Sequence, residues 1–365
     1  MKWGRIVTIG AILIAAGIAW WMYRAPEREP APEAPVRPIG TPVQITAPTG
    51  LPPVPIPLDN PPTVETIALG RKLYYDTNLS VDKTTACSTC HSPGLGFTDG
   101  KKVSEGARGR EGRRNAPTVL NAAYNTMQFW DGRAPSLEKV TEDRLRSPAE
   151  MAHTLEGVER RLMANPVYEA AFEEAFGPGP IKFQMVVKAI ASFERTMLTG
   201  DSAFDRYLYG GDKKSLSKSA ERGLEVFRNP KKGNCAACHS IGESHALFTD
   251  NKFHNLGVGV NAKGKLTDLG RYAVTKNDAD RGAFKTPTLR NVALTAPYMH
   301  DGSVKTLREA IDLHLRGGNP NPYLDKEISS RDFLSEQERE ELVAFLQEAL
   351  TGPVSSNLER PGAVE

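Results

Sequence analysis

Two short stretches decide how this chain folds: Cys87-Ser88-Thr89-Cys90-His91 and Cys235-Ala236-Ala237-Cys238-His239. They hold all four cysteines, so no thiol remains for a disulfide framework or a catalytic nucleophile. Two thiols three positions apart reach both vinyl groups of one haem, and the adjacent histidine is then aimed at the iron. A zinc site would need a second ligand pair close by, and a redox dithiol has no use for the histidine. The pair therefore predicts two covalent c-type haems, with His91 and His239 as proximal ligands.

Working outward, the two motifs sit in two copies of one unit. Each copy opens with an apolar segment containing a glycine, Gly70-Leu73-Tyr74 in one and Gly223-Leu224-Phe227 in the other. Each continues past its motif to Phe-Thr-Asp, at Phe97-Thr98-Asp99 and Phe248-Thr249-Asp250. Further on, Pro117-Thr118-Val119-Leu120-Asn121 matches Pro287-Thr288-Leu289-Arg290-Asn291. Asp131-Gly132 and Leu137 then lie as far from Pro117 as Asp301-Gly302 and Leu307 lie from Pro287. Apolar spacing near 3.6 predicts helices over Val64–Tyr75, Phe183–Leu198, Val304–Leu315 and Glu336–Leu350. Ser335-Glu336-Gln337-Glu338 reads as a capping box for the last of them. The polar stretch Thr199–Ser217 divides the copies.

The group on the far side of each iron decides between carrying electrons and doing chemistry, because a sixth protein ligand blocks substrate. His314 shares a helical face with Leu307 and Ile311, which makes it the strongest ligand candidate; Met299 is the alternative. The same count from Pro117 that reaches His314 from Pro287 ends at Arg144, a cation that cannot bind iron. One closed and one open haem follow. Splitting peroxide at the open one needs a group that takes a proton from one oxygen and returns it to the other. Glu150, shortly after Arg144, is placed for that. Trp130 is an oxidisable ring between the two sets of motifs, and by spacing alone also a plain core residue.

The 365 residues carry a net charge of only +2, which argues against nucleic acid as a partner. With 39% hydrophobic and 25% charged residues, the body can bury a core over two domains. Residues 1–24 contain the apolar run Ile6–Tyr23, behind Lys2 and Arg5 and ending in Trp20, Trp21 and Tyr23. This predicts an uncleaved membrane anchor with the body exported; a cleaved signal peptide is the alternative. Residues 25–62 are dense in proline and read as an extended tether. The remainder divides into a domain over 63–200, a second over 201–352 and a tail over 353–365.

Together these motifs resemble the bacterial di-haem cytochrome c peroxidases, a family that also contains the MauG-type enzymes. The resemblance runs from about Thr63 to Gly352 and rests on both haem motifs, Asn115 to Asn121, Phe129 to Arg133, Phe284 to Asn291 and Ala296 to Gly302. It implies an all-α fold of two tandem cytochrome c-like domains. Peroxide would bind at the N-terminal haem and the C-terminal haem would pass electrons. Trp130 would lie between them, and Glu150 would be the distal acid–base group. It also implies a structural calcium ion held by Asn115 and the carbonyls of Thr295 and Pro297, an oxygen set suited to that cation.

The departures carry as much information. Family peroxidases commonly place Met where His314 stands, and MauG-type enzymes place Tyr; a bis-histidine haem has a lower potential than a Met-ligated one. Many of the peroxidases also carry a histidine between the first haem motif and Asn-Ala-Pro that caps the resting active haem. Val103–Arg114 has none, and Ala107 takes its place. A distal Gln falls on Val140 and a distal Pro on Arg144. The expectation is a periplasmic peroxidase whose active haem is open without prior reduction, fed by a small c-type cytochrome or similar donor. Oxidation of a Trp or Tyr on a partner protein is the second reading. A di-haem carrier without catalysis is the third, and it requires both irons to be closed.

Overall fold

The structure is a computed structural model that describes residues 37–360. Nine helices of six residues or more lie among them. The first half contains α1 (Val64–Tyr74), α2 (Leu137–Arg146), α3 (Leu155–Met163), α4 (Pro166–Phe176) and α5 (Phe183–Glu194). The second contains α6 (Ala203–Leu208), α7 (Lys218–Arg228), α8 (Leu307–Leu315) and α9 (Glu336–Ala344), which runs on through a wider turn over Phe345–Ala349. The only strands among the described residues are two-residue pairings, Glu105–Gly106 with Arg110–Glu111 and Phe253–His254 with Phe284–Lys285. Hydrogen-bonding side chains start the helices: Thr63 accepts from Thr66 N, and Ser335 and Glu338 form the expected reciprocal box.

Each half is organised by the crossing of its first and last long helices, α1 on α5 and α7 on α9. Leu69 and Leu73 meet Val186, Ile190 and Phe193 in the first core, while Leu224 and Phe227 meet Leu342 and Phe345 in the second. The glycine expected in each opening helix is what lets the axes approach. A Cβ on Gly70 would fall inside Ala189 O and 2.9 Å from Phe193 Cβ; one on Gly223 would fall inside Glu341 O and 2.8 Å from Phe345 Cβ. Backbone cannot yield as a flexible side chain can. We expect Gly223→Ala to lower the stability of the holoprotein by about 1–3 kcal/mol, read as a shifted urea midpoint at unchanged slope.

Asn121 and Asn291 play one role twice. Both take left-handed φ values, 60° and 57°. The Asn121 amide bonds the backbone of Thr199 in both directions, and the Asn291 amide does the same with Gly352. Each asparagine thus ties the loop after its haem motif to the chain leaving the last helix of its half.

The proline-rich stretch departs from the tether reading. Residues 38–62 lie along the body: Leu51 is buried with Tyr124 and Leu198, and Val43 N and Val64 N bond Pro62 O and Thr41 O. Gly50 O accepts from Ala246 N and from Arg290 Nη2, and Pro52 O accepts from the Tyr124 hydroxyl. The physical reason is that prolines have no N–H to satisfy yet offer carbonyls and apolar rings, so an extended segment can serve as an accepting strap. The tail also returns to the body, with Leu358 in the core of the first half and Glu359 O accepting from Arg71 Nε. No helix among the described residues is long and apolar enough to cross a membrane. The expected anchor, Ile6–Tyr23, lies outside the described residues.

Candidate active site

A cavity of about 1220 Å³ is lined from both halves and takes in both haem motifs. That exceeds the usual space for one small ligand, roughly 300–1,000 Å³. In each motif the backbone turns back on itself, His91 N bonding Cys87 O and His239 N bonding Cys235 O, so that both sulfurs and the imidazole share one wall.

The two histidines are held alike. His91 Nδ1 is 3.1 Å from Phe97 O and His239 Nδ1 is 2.9 Å from Phe248 O, the carbonyls of the repeated Phe-Thr-Asp segments. A carbonyl can only accept, so Nδ1 carries the proton and Nε2 keeps its lone pair. His91 Nε2 is buried with no partner in the protein. Burial, helped by the Arg144 charge, pushes His91 down to about 3, and burial pushes His239 down to about 4, so both rings are neutral. A neutral imidazole with its second nitrogen anchored and its first left bare is a metal ligand by construction. With two thiols beside each ring, the residues fit covalently bound haem.

The far walls differ between the halves. Arg144 near the end of α2 and His314 on α8 occupy matching places, and both line the cavity. His314 Nδ1 lies 2.7 Å from Ala310 O, one helical turn back, which leaves Nε2 available; burial lowers its pKa and keeps it neutral. Arg144 instead holds Glu150, Nη1 to Oε2 at 3.2 Å, with its guanidinium over the Phe129 ring. Glu150 is pinned through its backbone too, its N–H bonding Ser147 O and its carbonyl accepting from Ala107 N at 2.6 Å. The loop over Val103–Arg114 thus reaches the far wall with backbone: Ala107 is fully buried, and Gly106 packs on the Ala149 and Glu150 carbonyls. Val140 and Met299 also line the cavity.

Between the halves the chain crosses itself symmetrically. Asn115 N bonds His300 O and Lys285 N bonds Trp130 O, each 2.8 Å, where Lys285 is the repeat mate of Asn115 and His300 that of Trp130. Trp130 Nε1 donates to Asn115 O at 2.9 Å, which fixes the indole in the seam. Asn115 donates Nδ2 to Lys101 O, so Oδ1 is the atom it has left for a cation; Thr295 and Pro297 line the same cavity.

Sequence reasoning assigned no role to three residues here. His254 lies between Asp250, 2.9 Å away, and Asp325, 2.5 Å away, next to Cys238. Lys285 is buried with Nζ 3.1 Å from Asn125 Oδ1, and burial pulls it down to about 8. Glu194, at the end of α5, is buried and lines the cavity. Local sequence carries little signal for them, because Asp325 beside His254, Asn125 beside Lys285 and Arg144 beside Glu194 all lie far along the chain.

The chain is similar to known proteins along most of its length. The sequence pattern described as Di-haem cytochrome c peroxidase matches residues 64–214, and the one described as Cytochrome c matches residues 220–349. Methylamine utilization protein MauG of Methylorubrum extorquens is 39% identical over 84% of this chain and 84% of its own length. Cytochrome c551 peroxidase of Pseudomonas aeruginosa is 38% identical over 76% of both. Among solved structures, a MauG-like protein associated with microbial copper homeostasis superposes with a TM-score of 0.77 at 32% identity, over 86% of this chain and 98% of that one. Two histidines anchored through Nδ1 and flanked by cysteine pairs, duplicated across one cavity, thus have a family that explains them: the chain belongs to the di-haem cytochrome c peroxidases, built as two tandem cytochrome c-like domains with two c-type haems.

Proposed function

We propose that this enzyme reduces hydrogen peroxide to water at the iron held by His91, drawing electrons through the iron held by His239 and His314. One peroxide takes two electrons and two protons and leaves as two waters. The carrying observation is the inequality of matching positions, a neutral imidazole on α8 against the pair of Arg144, in the last turn of α2, with Glu150 just beyond it. The haem supplies the iron and its electrons. The protein's share is to hold Glu150 at the open side as the proton carrier, to keep Arg144 as a cation beside it, and to place Trp130 on the path between halves. A small c-type cytochrome is the proposed donor. The working compartment is the periplasm, with Ile6–Tyr23 holding the body to the inner membrane.

A calcium ion on Asn115 Oδ1 and the carbonyls of Thr295 and Pro297 is proposed for the seam. Its support is the repeat: at the mate of Asn115 stands Lys285, whose ammonium meets Asn125, the mate of Thr295. One half carries a built-in cation where the other offers only oxygens.

A second reading is favoured by the loop that carries Ala107. It meets Glu150 through backbone and brings no histidine to the far wall, which supports an active haem open at rest and a MauG-type role on a Trp or Tyr of a partner protein. Stopped-flow absorbance after peroxide addition tests this on fully oxidised and on half-reduced holoprotein. An immediate spectral change in the oxidised form is expected. Reaction only after half-reduction would mean that something in Val103–Arg114 closes the iron.

A further inference from the structure

The side chain of Glu194 ends in a place that packing does not explain. It is 7% exposed and lines the haem-bearing cavity, and its Oε2 is buried without a hydrogen-bond partner. A buried carboxylate oxygen without a hydrogen-bond partner is costly. The repeat shows that the wall does not need it. Helices α5 and α9 match residue for residue at their crossings, Ala189 with Glu341 and Phe193 with Phe345. On that register the mate of Glu194 is Leu346, which is buried and lines the cavity in the second half. A leucine fills this position where no acid is required.

The surrounding charges leave Glu194 as the group here that changes state near neutrality. Burial pushes its carboxyl up to about 7 against the pull of Arg144 and Arg195 and with a push from Glu138. Glu138, from α2, is held low despite burial by hydrogen bonds from Arg195 and Asn60. Tyr74, from α1, is held well above its ordinary value by burial. Cys87, also alongside, is raised by burial and in the holoprotein is a thioether that does not titrate. Arg144 stays cationic, stabilised against burial by Glu150.

We propose that Glu194 takes up a proton when the iron held by His91 is reduced and releases it on reoxidation, a redox-linked proton store in the first half. The balance is one electron from the donor to ferric iron and one proton from solvent to a Glu194 carboxylate oxygen, forming the O–H bond; reoxidation reverses both. The inference rests on the haem being carried by Cys87, Cys90 and His91, and not on which haem meets peroxide. The sign follows from charge. An added electron lowers the local positive charge and favours the protonated carboxyl, so the potential falls as pH rises between the oxidised-state and reduced-state pKa of Glu194.

The test is a spectroscopic redox titration of the full-length holoprotein at several pH values around neutrality, each haem followed by its own absorbance. In the wild type, one haem shows a slope approaching about 59 mV per pH unit, a tenfold change per unit for a one-electron couple. Glu194→Gln and Glu194→Leu, the latter copying Leu346, flatten that slope and leave the other haem unchanged; Glu194→Asp restores it. An undiminished slope in Glu194→Gln with both haems attached overturns the proposal. A count of one covalent haem in the wild type would instead overturn the haem assignment beneath it, and is read before any potential is measured.

Discussion

Glu150→Gln should lower peroxide turnover by about 10²–10⁴-fold while both haem spectra stay as in the wild type, the range by which a positioned proton carrier accelerates a reaction. The substitution isolates the chemistry because the surroundings hold the residue's shape. Its backbone is fastened at both ends, to Ser147 O and from Ala107 N, and Arg144 Nη1 reaches its side chain from 3.2 Å. Glutamine keeps the length and an oxygen for Arg144 but accepts no proton. The pair is partly open, with 24% of the Arg144 and 29% of the Glu150 side chain accessible, so a molecule the size of peroxide can reach it from the cavity. Steady-state turnover with a reduced small cytochrome gives the measurement. A loss under tenfold would remove Glu150 from the mechanism and leave Arg144 as the sole polar group from this pair.

What the sequence made legible was whatever repeats or alternates locally. The helices over Val64–Tyr74, Phe183–Glu194, Leu307–Leu315 and Glu336–Ala344 follow the apolar spacing; the expected ends at Leu198 and Leu350 run past the regular helix, and the expected start at Val304 precedes the real one, which Thr306 caps. The paired motifs located both imidazoles because covalent attachment dictates a fixed spacing. Residues 38–62 misled because proline density reads as an extended chain whether or not a body receives it, and the donors that hold it here, Ala246 N and Arg290 Nη2, lie far along the sequence. Glu194 was hidden for the same reason. It ends an apolar helix whose neighbours in sequence give no hint that Cys87 and Arg144 lie near it. The seam is intermediate: the repeat pairs Asn115 with Lys285 and Trp130 with His300, but only the fold shows that each bonds the other pair's carbonyl.

Replacing His314 should change the second haem and spare the first. Its Nδ1 is spent on Ala310 O and its ring stands on α8 between buried Ile311 and Leu315, so it has one free nitrogen and little rotational freedom. In His314→Met a thioether takes the place of imidazole. Axial ligands tune haem potentials over about 0.8 V, and an increase on the order of 0.1 V at this haem is expected from redox titration. His314→Ala should instead open the position, raising cyanide binding from one to two per molecule. If cyanide still binds once in His314→Ala, the sixth ligand is Met299, which lines the same cavity from a left-handed backbone at φ 71°, and Met299→Leu should then open the site. The two substitutions thus separate the roles: a higher potential at the His239 haem weakens its drive to reduce its neighbour, whereas a second open iron gives peroxide a new place to react, and the inequality between the halves is what keeps electron entry and peroxide chemistry apart.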